Sequence, residues 1–241
     1  MEIHKPNIIQ VLEHAQLAHR VGDFAHALKF YVYFFDHALD DDPFALYGVR
    51  LSHCLEGWSK LAQEFVAAQQ QLEEKQTSLL QSYQTNKQPE KFHDYYCISD
   101  VLGKRQEAID TFLLINQSNH LQAKKLIKFV WKDLINIEQW EVCNEFLEDP
   151  LLKLDESFAI FDQANTLKNL DPSFATEAFE KHIQNELIES VKQLLLILRH
   201  NDRTDEIDLI QRKFYEIAHS KSNANLDALL HTKGTFLFSG H

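Results

Sequence analysis

Glycine, proline and cysteine are scarce in this chain: six, five and three among 241 residues, with a single methionine. Few turn-formers, and no Val/Ile/Thr alternation bounded by Asn-Gly or Asp-Gly, exclude an all-β fold and a glycine-rich phosphate loop. Cys54, Cys97 and Cys143 are odd in number and far apart, which excludes a disulfide framework and reads as reduced thiols packed as small apolar groups. Long apolar runs are missing too. Leu194 to Leu198 is among the longest, far short of the roughly 20 residues a bilayer requires. Glu2, His4, Lys5 and Pro6 follow Met1 where a secretory leader would be basic and then apolar, so the expected location is cytoplasmic. Positive charge is also in deficit. With 24 Lys and Arg against 36 Asp and Glu, the net charge of −12 argues against nucleic-acid and anionic membrane partners and for a neutral or basic one.

What is present is helical periodicity. Ile8, Val11, Leu12, Ala15 and Ala18 recur at spacings of three and four, as do Leu126, Ile127, Val130, Trp131 and Leu134. Short stops punctuate it: Val21-Gly22-Asp23, Asp40-Asp41-Asp42-Pro43, Asn86-Lys87-Gln88-Pro89, Leu102-Gly103-Lys104, Asp149-Pro150, Leu170-Asp171-Pro172 and His200-Asn201-Asp202. The pattern predicts about a dozen helices joined by tight turns. Asp42 before Pro43 reads as a helix N-cap rather than part of a cation site.

A register repeats along these helices. Phe24-x-x-Ala27-Leu28-x-x-Tyr31, Trp58-x-x-Leu61-Ala62-x-x-Phe65, Arg105-x-x-Ala108-Ile109-x-x-Phe112 and Trp140-x-x-Cys143-x-x-Phe146 start 34, 47 and 35 residues apart, and a further 34 reaches Phe174. The 47 equals the period plus a 13-residue insertion. Gly22, Gly57 and Gly103 precede the anchors, where a hairpin turn needs an unhindered backbone.

On these residues the chain resembles the tetratricopeptide repeat family, best in Gly22-Asp23-Phe24-Ala25-His26-Ala27-Leu28-Lys29-Phe30-Tyr31. The first helix departs from the family pattern, with Val11, His14-Ala15 and Ala18 where the family places Trp, Leu-Gly and Tyr. The resemblance implies an all-α fold, a right-handed α-solenoid of about five helix-turn-helix repeats plus a C-terminal capping helix pair. A single domain over 1–241 is expected, with repeats at roughly 6–40, 43–88, 89–120, 121–150 and 151–185 and a cap at 186–241 whose pair is Glu186–Arg199 and Thr204–Ala218. In the tail from Asn225, a short amphipathic helix and then Phe236-Leu237-Phe238 either dock on the last hairpin or fray.

Two segments carry further expectations. Leu61, Phe65, Ala68, Leu72, Leu79 and Tyr83 continue one stripe, predicting a helix from Trp58 to Tyr83 of 26 residues, about 39 Å long. Leu72, Leu79 and Tyr83 would then need a cover: the helix after Pro89, a second copy in a homodimer, or a partner docked on a projecting arm. The aromatics of Phe24–Leu39 surround their helix and predict burial on several sides.

No catalytic constellation stands out among the thirteen histidines. His14 with His19, His26 with His37, and His53 beside Cys54 lack ligand spacing for zinc, so neither metal nor cofactor is expected. His93-Asp94 has no nucleophile motif beside it, and His200-Asn201-Asp202 reads as a turn. The leading expectation is a non-enzymatic protein-interaction or scaffold module holding a peptide or partner helix in a solenoid groove, with Gln16, His19, Arg20, Arg50, His53, His93 and Asp100 on or near that groove. The Lys and Asn pairs with which some family members clamp a terminal carboxylate are not found here. The alternative is a regulatory or effector protein sensing a small ligand or peptide through the same solenoid, and an enzyme requires separated His and acidic residues to meet in space.

Overall fold

A computed structural model describes residues 7–220, the side chains of Asp41 and Ser220 apart, and every regular element among them is a helix. In chain order these are α1 (Ile8–Arg20), α2 (Phe24–Asp41), α3 (Ala45–Val49), a π-helical turn (Arg50–Cys54), α4 (Leu55–Glu64), α5 (Val66–Asn86), α6 (Pro89–Val101), α7 (Arg105–Ser118), α8 (His120–Asn136), α9 (Trp140–Glu145), α10 (Pro150–Leu170), a 3-10 turn (Pro172–Phe174), α11 (Glu177–His200) and α12 (Thr204–Ser220). The tail beginning at Asn225, with Phe236-Leu237-Phe238, lies outside the described residues. Where one domain over 1–241 is expected, the chain divides into two compact units, the first through Val130 and the second from Trp131. The division falls inside α8, where no linker composition marks it.

The first unit opens as expected. Asn7 caps α1 by accepting from the Ile9 N–H at 3.0 Å, and Asp23 caps α2 by accepting from the His26 N–H at 3.4 Å. Gly22 between them has φ of 81° and Gly103 between α6 and α7 has φ of 70°, the left-handed conformation a tight hairpin requires. Three anchors, Phe24, Arg105 and Trp140, are each the first residue of a helix, and Ala27, Leu61, Ala108 and Cys143, three residues on from the four anchors, are all fully buried. In α2, Tyr31, Phe34 and Phe35 are buried while Tyr33 stays outward, so burial on several sides holds for all but one sector. Asp42 accepts from the N–H groups of Phe44 and Ala45 at 3.0 and 2.9 Å, the cap its position before Pro43 predicts.

The second repeat is built differently. Gly57 is no turn residue: α3, the π turn and α4 run on without a break, and Gly57 lies in α4 beneath the ring of Tyr31. The chain turns at Phe65 instead, whose φ of −134° and ψ of 107° end α4 and start α5. Trp58 bridges the corner by donating its indole N–H to the Ala68 carbonyl at 3.1 Å. The single Trp58–Tyr83 helix is therefore replaced by a hairpin of α4 and α5. Leu72, Leu79 and Tyr83, expected on an arm, are 1, 7 and 1% exposed. Their cover is the helix after Pro89: α5 packs on α6, the Tyr83 and Phe92 rings meet at 5.4 Å, and Gln76 donates to the Ser99 hydroxyl at 2.9 Å.

In the second unit α10, α11 and α12 pack on one another around Leu154, Phe158, Leu187, Leu194 and Phe214. The fifth frame fails at Phe174. Pro172 starts a 3-10 turn capped by Asp171, and Thr176 caps the next helix by accepting from the Phe179 N–H at 3.2 Å. The helix expected from Glu186 thus opens at Glu177, and the boundary between a fifth repeat at 151–185 and a cap at 186–241 disappears inside α11. His200-Asn201-Asp202 is a turn: Asn201 donates to the carbonyls of Ile197 and Trp140 at 2.8 and 3.2 Å. Arg203 follows, donating to Asn144 Oδ1 and the Leu147 carbonyl at 2.8 and 2.9 Å and pairing with Glu206, so one guanidinium ties the end of α9 to the start of α12.

Candidate functional site

The residues expected along a groove are spread over α1, the π turn and α6. Gln16 and Arg20 are exposed on α1, His53 is exposed on the π turn, and Asp100 is engaged by Arg105 at 2.6 Å. His19 packs edge-on to Phe24 at 5.9 Å with its Nε2 3.3 Å from Glu64 Oε1. Only Arg50 and His93 come together, and they do so in the interior. The guanidinium of Arg50 is buried against Asp94, with Phe35 and Tyr47 ring centroids at 4.4 and 5.6 Å. The Tyr47 hydroxyl lies 2.7 Å from His93 Nδ1, and the imidazole stacks on Phe129 at 4.2 Å. Burial, then the charges of Arg50 and Lys128, push the His93 pKa down to about 4, and burial pushes the Tyr47 phenol up to about 12. The ion pair begins in the π turn, where the one-residue shift in winding re-aims side chains.

The open site is on the second unit. A groove of ≈ 600 Å³ runs between the end of α8, most of the length of α10 and the first two thirds of α11. Ser190 and Ser157 make its floor, their hydroxyls 2.7 Å apart, and Ser157 donates onward to the Lys153 carbonyl at 3.0 Å. Small residues there let α10 and α11 approach closely. Phe161, Ile183 and Leu187 are the buried walls, and Trp131 stands half-buried at one edge.

The outer lip is a stripe on α10. Ile160, Ala164 and Leu167 are spaced by four and three, so they share a helix face, and Ile160 is 67% and Leu167 42% exposed. Leu154, Phe158 and Phe161 follow the same spacing one face over and are buried. The helix therefore carries two apolar faces. Charges sit on the rim and are paired within it: Lys132 with Glu186 at 3.5 Å, Lys153 with Glu156 at 3.0 Å, and Glu189 with Lys192 at 3.7 Å. Lys168 bonds Glu180 at 2.6 Å and joins the end of α10 to the start of α11. Such a surface, apolar inside with a charged rim, can desolvate apolar side chains and hold them in register. The pattern of α10 alone does not say which of its two apolar faces packs and which stays open. The doubled stripe of α10 is the trace the sequence carries of this groove.

Among the described residues no three His, Cys, Asp or Glu side chains gather as a metal site, and no helix is long and apolar enough to cross a membrane. His26 lies on Asp23 at 2.8 Å and His37 on Asp40 at 3.0 Å, each one helical turn away. Cys54 and Cys143 are buried and Cys97 half-buried, all three as thiols, and burial pushes Cys97 and Cys143 up to about 12. Compared with protein-family models, with curated proteins and with solved structures, the chain has no match.

Proposed function

We propose that this chain is a protein-interaction module of tetratricopeptide-like, right-handed solenoid type, working in the cytoplasm without catalysis. Its groove between α8, α10 and α11 takes the apolar face of a short amphipathic helix whose flanks are neutral or basic. One observation carries the reading: the second apolar face of α10, with Ile160, Ala164 and Leu167 at four-and-three spacing, is open beside the buried one. Anchors at i, i+3 or i+4 and i+7 are how an amphipathic helix meets a groove. Burying Ile160 and Leu167 would contribute up to about 1.5–3 kcal/mol each, enough for a few anchors to define binding. The flanks follow from charge. The rim glutamates Glu156, Glu186 and Glu189 are each paired with a lysine, and the chain around them has a net charge of −12.

The test is fluorescence anisotropy with two labelled synthetic helices that share leucines at i, i+3, i+4 and i+7, one flanked by lysines and one by glutamates. The lysine-flanked helix is expected to bind more tightly, and Ile160→Glu to weaken it about tenfold or more. Equal binding by the parent chain and Ile160→Glu would remove the groove from the account.

A further inference from the structure

We infer that the first unit holds a binding site of its own, a pocket for a small phosphate-bearing anion between α2, the π turn, α5 and α6, built around the guanidinium of Arg50. It is separate from the groove of the second unit and independent of what that groove binds. A cavity of ≈ 220 Å³ opens there. Lys75, Ser78 and Ser82 line it from α5 at three-and-four spacing, Lys91 and Asp94 from α6 one turn apart, and Asp36 from α2. Arg50, Lys75 and Lys91 thus face two carboxylates, a local positive excess on a chain of net charge −12.

The hydrogen-bond partners decide which ligand fits. Both carboxylates are engaged: Asp36 accepts from Lys75 at 2.8 and 2.9 Å, and Asp94 pairs with Arg50, each side chain of that pair 4% exposed. The groups left over are donors. Arg50 Nε is buried with no acceptor among the described residues, a costly state for a charged group. Lys91 makes no hydrogen bond or ion pair among them and acts on Asp94 only through its charge. Cationic N–H donors beside serine hydroxyls match an acceptor-rich anion. A phosphate group brings three strong acceptor oxygens and a charge of about −1.5 to −2. Size sets the upper limit. Sites for drug-sized ligands run to about 300–1,000 Å³, so this one takes phosphate or a small phosphomonoester and not a nucleotide.

The test is isothermal titration calorimetry of the full chain with inorganic phosphate, glycerol phosphate and succinate in turn, at constant ionic strength so that screening is held fixed. One phosphate per chain is expected, with a Kd of about 1 mM or tighter. Lys91→Gln, which removes a half-buried charge, should weaken it about tenfold, whereas Lys60→Gln, on the exposed surface of α4, should leave it unchanged. Methyl-labelled NMR of the parent locates the site: Leu39 and Leu79 line the cavity and should shift with phosphate, while Ile160 and Leu167 of the second unit hold still. Glycerol phosphate binding at least as tightly as phosphate assigns the site to a phosphomonoester, and weaker binding assigns it to the free ion; either upholds the inference. It is overturned by succinate binding as tightly as phosphate, by Lys91→Gln losing no more than Lys60→Gln, by Leu39 and Leu79 unmoved, or by no saturable heat up to about 10 mM phosphate.

Discussion

Substituting the glycines at 48 and 57 with alanine separates a helix packed against an aromatic ring from a turn. Both residues lie in helical segments, Gly48 in α3 and Gly57 in α4. In a helix interior alanine is favoured over glycine by about 0.8–1 kcal/mol, through backbone entropy alone. A Cβ at position 48 meets nothing within 4 Å, so Gly48→Ala should gain that amount. At position 57 the same atom would lie 2.5 Å from the Tyr31 hydroxyl oxygen and 2.7 and 2.8 Å from two ring carbons. Carbon atoms settle at about 3.5–4.0 Å, and the ring is only 1% exposed, so it has no free space to yield. Overpacking of this kind costs about 1–3 kcal/mol. The cost outweighs the propensity gain, and Gly57→Ala should be destabilising by as much as about 2 kcal/mol. In a chain of this size that is a fall of several degrees in Tm, against a rise of about 2–4 °C for Gly48→Ala. Urea denaturation followed by circular dichroism measures both. If Gly57→Ala stabilises the protein as much as Gly48→Ala does, Tyr31 does not lie across α4 and the α2–α4 packing described above is wrong.

Three further outcomes follow from the interior. Changing Leu72 and Leu79 together to Gln should lower the Tm without altering the mass by light scattering, since each buried leucine contributes about 1.5–3 kcal/mol and neither faces a partner; a changed mass with an unchanged Tm would restore the external interface. His93 is held neutral in the folded chain, its pKa lowered from 6.5 to about 4, so its contribution is complete above the unfolded value and is lost as pH falls from 6.5 towards 4. The parent should therefore lose more stability across that window than His93→Asn does, and parallel pH profiles in urea would count against the buried cluster. Thiol labelling at pH 8 should be slow at all three cysteines in the folded protein and fast in urea, because burial disfavours each thiolate; rapid labelling of Cys54 or Cys143 when folded would contradict their burial.

Local chemistry made much of this fold legible. Asp23, Asp42 and Asp149 announce helix starts through side chains that accept from backbone N–H groups, and Gly22 and Gly103 mark turns that need positive φ. The failures share a cause. Phe65 ends a helix with neither Gly nor Pro beside it, and the apolar stripe of Leu61, Ala68 and Leu72 continues in register across the corner, so periodicity alone reads a single rod. Gly57 looked like a turn residue because the reason for its missing side chain, the ring of Tyr31, comes from a helix 26 positions earlier. Phe174 kept the period, but Asp171-Pro172 and Thr176 decided locally where α11 begins. Of the candidate groove only Ile160, Ala164 and Leu167 leave a trace in one segment. Trp131, Ile183 and Ser190 join them solely through the packing of α8, α10 and α11.

The groove itself is most directly tested by methyl-labelled NMR of the full chain titrated with the lysine-flanked amphipathic helix. Ile160, Leu167, Ile183 and Leu187 line the groove, whereas Leu12, Leu55 and Ile98 lie in the first unit. The account predicts that the first four shift progressively and saturably while the other three hold their positions, and that Ile160→Glu abolishes the response. Shifts concentrated on α1 or the π turn, where Gln16, Arg20 and His53 are exposed, with Ile160 and Leu167 unmoved, would contradict it.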